Sequence, residues 1–84
     1  MTEQEYLLLD ELYFLIDYNS LKNKSKLSIQ NLDELLISSI NKNWINFYEK
    51  IDGESLFLNN QTQSNLKSYF YLASKEGLKA HNTL

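Results

Sequence analysis

Between Glu3 and Tyr18 the apolar positions recur at helical spacing: stepped at about 100° per residue, Leu8, Leu9, Leu12, Tyr13, Leu15 and Ile16 share one broad face. The pattern predicts a first helix over Glu3–Tyr18. Outside that face Leu7, Phe14 and Tyr18 form a second ridge, set off by Asp10 and Asp17 on one side and Glu11 on the other. A helix that is apolar on two sides is either wrapped by the rest of its domain or covered by a partner, because soluble monomers avoid contiguous exposed apolar patches.

Further along, Asn19 or Ser20 is placed to cap a short second helix, roughly Leu21–Lys26, with Lys22, Lys24 and Lys26 between the anchors Leu21 and Leu27. Ser28 caps a third helix whose inner face is Ile29, Leu32, Leu36 and Ile40, and Asn43 is a natural stop because Asn tolerates the left-handed conformation. The aromatic and β-branched run Trp44–Tyr48 predicts a strand, Asp52-Gly53 a hairpin turn, and Leu56-Phe57-Leu58 a short returning strand. Asn59–Ser68 is polar apart from Leu66 and reads as a loop or a single helical turn. Tyr69–Leu72 predicts a third strand, and Ser74 caps a last helix from Lys75 to about Asn82, with Leu78 and Leu84 packing inward.

The elements together predict an α+β fold in a single domain over residues 1–84. A core of that size is thin, which favours association or economical packing. With 43% hydrophobic residues the chain has ample material to fold. It contains no Cys and one His, so neither a disulfide framework nor a thiolate or histidine metal centre is expected, and no cofactor is implied. The acidic start Met1-Thr2-Glu3-Gln4-Glu5 lacks the positive charge of a secretion signal, and no apolar run approaches the roughly 20 residues needed to span a bilayer. A soluble, cytoplasmic protein is the expectation. Arg, Pro and Val are absent while Asn, Lys and Ile abound, as in coding sequence rich in A and T, so the lack of Arg is not by itself a functional sign.

Three helices, a strand opening at Asn43-Trp44-Ile45 and a closing segment Tyr71-Leu72-Ala73-Ser74-Lys75-Glu76-Gly77 resemble the winged helix-turn-helix superfamily. The pattern is similar to that of small bacterial transcription regulators of the multiple-antibiotic-resistance and phenolic-acid repressor type, where a Gly-Trp-Ile-like strand follows the recognition helix and the wing returns through Tyr-x-Leu-Thr-x-x-Gly. Here Asn43 replaces the Gly, and Ser74 rather than Ala73 serves as the cap, one residue later than in the pattern. The resemblance implies a three-helix bundle, a small antiparallel β-wing and a short C-terminal helix. It also implies DNA binding by a dimer that sets two third helices on one duplex. Independently of it, Trp44 suits burial between the third helix and the hairpin, and Gly77 permits close backbone approach.

On the DNA reading, the outward residues of the third helix, Gln30, Asn31, Glu34, Ser38, Asn41 and Lys42, would face the major groove, with Lys22 and Lys24 near the phosphates. Charge opposes it. The net charge is −3, and Glu49, Asp52 and Glu54 against Lys50 make the wing acidic where phosphate contact wants cations. The first helix adds five acids, Glu3, Glu5, Asp10, Glu11 and Asp17, and no lysine. The ridge Leu7, Phe14 and Tyr18 in that acidic field therefore suggests a protein contact instead, either a homodimer seam or a dock for a basic partner. No catalytic residue is expected: Asp10 and Asp17 read as solvated acids and His81 as a surface residue near the end of the chain. The two expectations are thus a DNA-binding regulator-like module and a protein-interaction module that has no DNA role.

Overall fold

The computed structural model describes residues 1–83, so the expected packing of Leu84 lies outside the described residues. The first helix, α1 (Glu3–Asp10), begins with a reciprocal cap. The Thr2 hydroxyl accepts from the Glu5 N–H at 3.1 Å, and the Glu5 carboxylate accepts from the Thr2 N–H at 2.7 Å. The helix does not reach Tyr18. Its last turn tightens, with Glu11 N–H bonding to Leu8 O at 3.1 Å and Leu12 N–H to Leu9 O at 3.0 Å. The chain then extends into the short strand β1 (Ile16–Asp17) and restarts as α2 (Tyr18–Ser25).

Long-range pairing explains why helical periodicity failed to predict this break. The Leu12 carbonyl accepts from Ala73 N–H at 2.8 Å, while Ile16 and Asp17 pair with Tyr71 and Phe70. These bonds satisfy backbone groups that a continued helix would have used. Asp17 gains a second role, because its carboxylate accepts from Ser20 N–H at 3.1 Å and N-caps α2. Hydrogen bonding by Ser20 holds that carboxyl below its usual range.

Helix α2 starts earlier than the expected Leu21 and closes on Lys26, which takes the left-handed conformation at φ 60°. Helix α3 (Ile29–Asn41) is capped by Ser28, whose hydroxyl accepts from Asn31 N–H at 3.1 Å. It ends at Asn41, and the expected stop, Asn43, stands two residues beyond in the left-handed conformation at φ 62°. Leu32 and Leu36 are buried on its inner face together with Ser39, but Ile29 is 46% exposed rather than core.

Strand β2 (Ile45–Tyr48) begins one residue after Trp44. The turn at Asp52-Gly53 is present, with Gly53 N–H bonding to Lys50 O at 3.2 Å. The returning strand over Leu56–Leu58 is not. One bridge joins Tyr48 and Ser55, Leu56 N–H reaches Phe47 O at 2.8 Å, and the chain then leaves the sheet. It is drawn into a second reciprocal cap, in which Asn59 and Thr62 exchange side-chain and backbone bonds at 2.8 and 2.9 Å. That cap opens α4 (Asn60–Ser64), which is followed by a 3₁₀ turn (Leu66–Ser68) that buries Leu66. The polar segment thus holds slightly more helix than the single turn expected of it.

Strand β3 (Phe70–Ala73) is central, antiparallel to β1 on one side and to β2 on the other. Tyr71 lies opposite Phe47 across the β2–β3 pair and, fully buried, donates its hydroxyl to Leu66 O at 2.6 Å. Burial pushes this phenol well above its ordinary value. Around the pair gather Leu8, Leu9 and Leu12 from the N-terminal segment, Tyr18 and Leu21 from α2, and Leu32 and Leu36 from α3, forming one core. The architecture of the described residues is α+β: five helices and a three-stranded antiparallel sheet. None of these helices is long and apolar enough to cross a membrane.

The last helix, α5 (Lys75–Asn82), docks through its first turn. The Ser74 hydroxyl accepts from Gly77 N–H at 3.0 Å and donates to the Asn43 carbonyl, while Ser74 N–H bonds to Trp44 O at 2.8 Å. A Cβ on Gly77 would stand 2.1 Å from that same Trp44 oxygen. Helix propensity alone predicts that Gly77→Ala stabilises by about 0.5–1 kcal/mol. Because the obstructing atom is backbone, we expect the opposite sign, a loss of about 1–3 kcal/mol in urea unfolding.

Candidate functional site

The residues expected to face DNA come from α2, from α3 and from the residue that follows α3. On α3, Gln30, Asn31 and Asn41 are exposed and Ser38 is half-buried. Gln30 donates to the Glu34 carboxylate at 3.3 Å one turn on. Lys42, just past the helix end, turns inward. Its Nζ lies 2.6 Å from the buried Glu5 carboxylate and 4.8 Å from the centre of the Trp44 ring. The cation expected to meet phosphate therefore joins α1 to the end of α3. Asp33 also faces inward and accepts from the Tyr18 hydroxyl at 2.7 Å. Lys22 and Lys24 sit in the last turn of α2, where positive charge complements the carbonyl end of the helix. Lys24 lines clefts formed with α1 and β1, and Asn41 lines a separate cleft at the end of α3.

Of the expected apolar ridge, two members stand on the surface and one does not. Leu7 is 56% exposed and Phe14 84%, whereas Tyr18 is buried and belongs to the core. The ridge required a continuous helix, and the break after Asp10 removes it. Tyr18 then opens α2 and turns its ring inward, and burial together with the Asp33 carboxylate pushes its phenol above the ordinary value. Leu7 and Phe14 line neighbouring clefts. One, of about 280 Å³, lies between α1 and the C-terminal end of α2 and is lined by Leu7, Leu8, Asp10, Glu11, Lys24 and Leu27 among others. The next, of about 200 Å³, shares Asp10, Glu11 and Lys24 with it and adds Tyr13, Phe14, Leu15 and Ile16.

Further exposed apolar side chains were missed in the sequence, among them Ile51 on the turn, Phe57 beyond the bridge and Tyr13, which was expected on the inner helix face. Ile51 carries no signal apart from its neighbour Asp52-Gly53, since a turn tip exposes whatever it holds. Phe57 was expected in a strand, where a partner would have covered one face. His81 was missed too. It is buried, stacked on Tyr6 with ring centres 4.1 Å apart, with Nδ1 2.7 Å from the Tyr13 hydroxyl and Nε2 3.8 Å from an Asp10 oxygen. This carboxylate, imidazole and phenol bring α5 against α1 and the segment after it. Among the described residues no cluster could hold a metal ion. No family model, curated protein or solved structure matches the chain.

Burial raises the Glu5 carboxyl, but the Lys42 bond and the Thr2 amide and hydroxyl outweigh it and hold the group below its ordinary 4.5. A depressed carboxyl stabilises the fold above its unfolded value and loses that contribution as pH falls through the folded one. Since Lys42 is half-exposed and screened, Glu5→Gln should cost about 1 kcal/mol at neutral pH. Denaturant titrations should show that gap constant above about pH 5 and closing at lower pH.

Proposed function

We propose that this chain is a winged-helix module that acts by binding another protein rather than by chemistry or by gripping DNA. The order α1, β1, α2, α3, β2, β3, α5, with α4 and a 3₁₀ turn inserted between β2 and β3 and with β3 lying between β1 and β2 in the sheet, supports the winged-helix reading. So does the Asn43-Trp44-Ile45 segment at the α3–β2 junction. The functional reading is carried by Phe14, a phenylalanine 84% exposed beside half-exposed Leu7 on a surface with ready-made clefts. An apolar group so placed costs free energy until something covers it.

The polar face of α3 supports the same choice. Its terminal lysine is engaged with Glu5 and Trp44, which leaves Glu34 as a charge facing outward among amides and hydroxyls. Glu49, Asp52 and Glu54 on the wing are exposed and oppose phosphate. The enclosed His81, stacked on Tyr6 and bonded to Tyr13, serves cohesion between α1 and α5 on this reading.

The test is binding to random-sequence duplex DNA at roughly 50 mM salt, where even weak phosphate contacts register. We expect no retention. Binding that weakens steeply as salt is raised would overturn the reading in favour of a regulator-like module that uses Gln30, Asn31 and Asn41.

A further inference from the structure

The surface around Leu7 and Phe14 carries the features needed to name its partner, given that its role is protein binding as proposed. We propose that the furrow between α1 and the C-terminal end of α2 receives Phe14 from a second copy of this chain, with Phe14 of the first copy entering the furrow of the second.

A twofold interface needs a projecting group and its receptor on one surface, so that each copy supplies both. Phe14 projects at the rim of one cleft, and the adjoining furrow is floored by Leu7, Leu8 and Leu27. Asp10, Glu11 and Lys24 line both, so the two hollows adjoin on one surface.

Charge then selects the occupant. One wall of the furrow comes from α1 and its end and carries Asp10 and Glu11, while the facing wall comes from the end of α2 and carries Lys24 and Lys26. Among the described residues the close acid–base side-chain contacts are Lys42 with Glu5 and His81 with Asp10, so Glu11, Lys24 and Lys26 have no oppositely charged partner among those residues. A uniformly basic partner would meet Lys24 and Lys26, a uniformly acidic one Asp10 and Glu11, and an uncharged one would desolvate all four. A second copy related by a twofold axis that runs along the furrow sets its acidic wall against the basic wall of the first, and the basic against the acidic. A standard interface takes about 800 Å² from each partner, a modest share of the 5454 Å² that this chain exposes.

The experiment is the solution mass of the chain by sedimentation equilibrium. Wild type should reach twice 9.9 kDa as concentration rises. Phe14→Glu should stay at the single mass with an unchanged melting curve, since the side chain is exposed. Glu11→Lys and Lys24→Glu should each dimerise at least about tenfold more weakly alone. Mixed one to one, they should dimerise again, because each then presents to the other the charge that it lacks.

A wild type that stays at 9.9 kDa, a Phe14→Glu variant that dimerises like wild type, or a mixture no better than its components would overturn the second-copy assignment. If the monomer also binds random duplex DNA at low salt, the protein-binding reading falls with it. If it does not, only the second copy is excluded and a different protein partner is required.

Discussion

The carbonyl of Trp44 is the point on which four elements converge. It accepts the Ser74 N–H as β3 ends and α5 begins, it lies where a side chain on Gly77 would have to be, and it follows directly on the left-handed Asn43 that stops α3 and starts β2. Each neighbouring residue type is a condition of that contact. Asn at position 43 tolerates the positive φ, Ser at 74 can donate to one carbonyl while accepting the Gly77 amide, and Gly at 77 leaves room for the backbone. The direction of α5 is set there, and with it the placement of His81 against Tyr6, Tyr13 and Asp10.

A domain of this size has few charges to spare, and the fold commits several to its own cohesion. Lys42 holds α1 to the end of α3, Asp17 caps α2, and Asp33 takes the phenol of a buried tyrosine. The unpaired charges that remain around the α1–α2 furrow are of both signs, and Leu7 and Phe14 lie among them. A surface that holds a polyanion would require one sign of charge over a broad area.

Local chemistry was legible in the sequence and long-range pairing was not. Ser28, Asn43 and Ser74 announced the limits of α3 and the start of α5, because caps act within a few residues of themselves. The break after Asp10 was invisible because Leu12 and Ile16 satisfy a helical period while one lies in a turn and the other in a strand, and bonds that hold them there come from β3, far along the sequence. The false strand at Leu56–Leu58 has a similar cause: its composition suits a strand, but the cap at Asn59 competes for the chain. At the candidate surface, Leu7 and Phe14 were picked out as a ridge on a continuous helix, and both are exposed although that helix ends at Asp10. Tyr18 was misplaced with the helix that was to carry it, and Lys42 could not be assigned to Glu5 without knowing that the first and third helices meet.

The contact between Tyr13 and His81 spans 68 positions of an 84-residue chain, and β1 cannot pair until β3 exists. As the chain leaves the ribosome, α1 and α2 emerge with Leu9, Leu12 and Tyr18 uncovered, and closure waits for β3 and α5. Joining these distant segments adds loop-closure entropy to the folding barrier. For that interval the nascent N-terminal half presents more apolar surface than the finished fold ever does, which makes synthesis, rather than the native state, the moment at which this small protein is most exposed to aggregation.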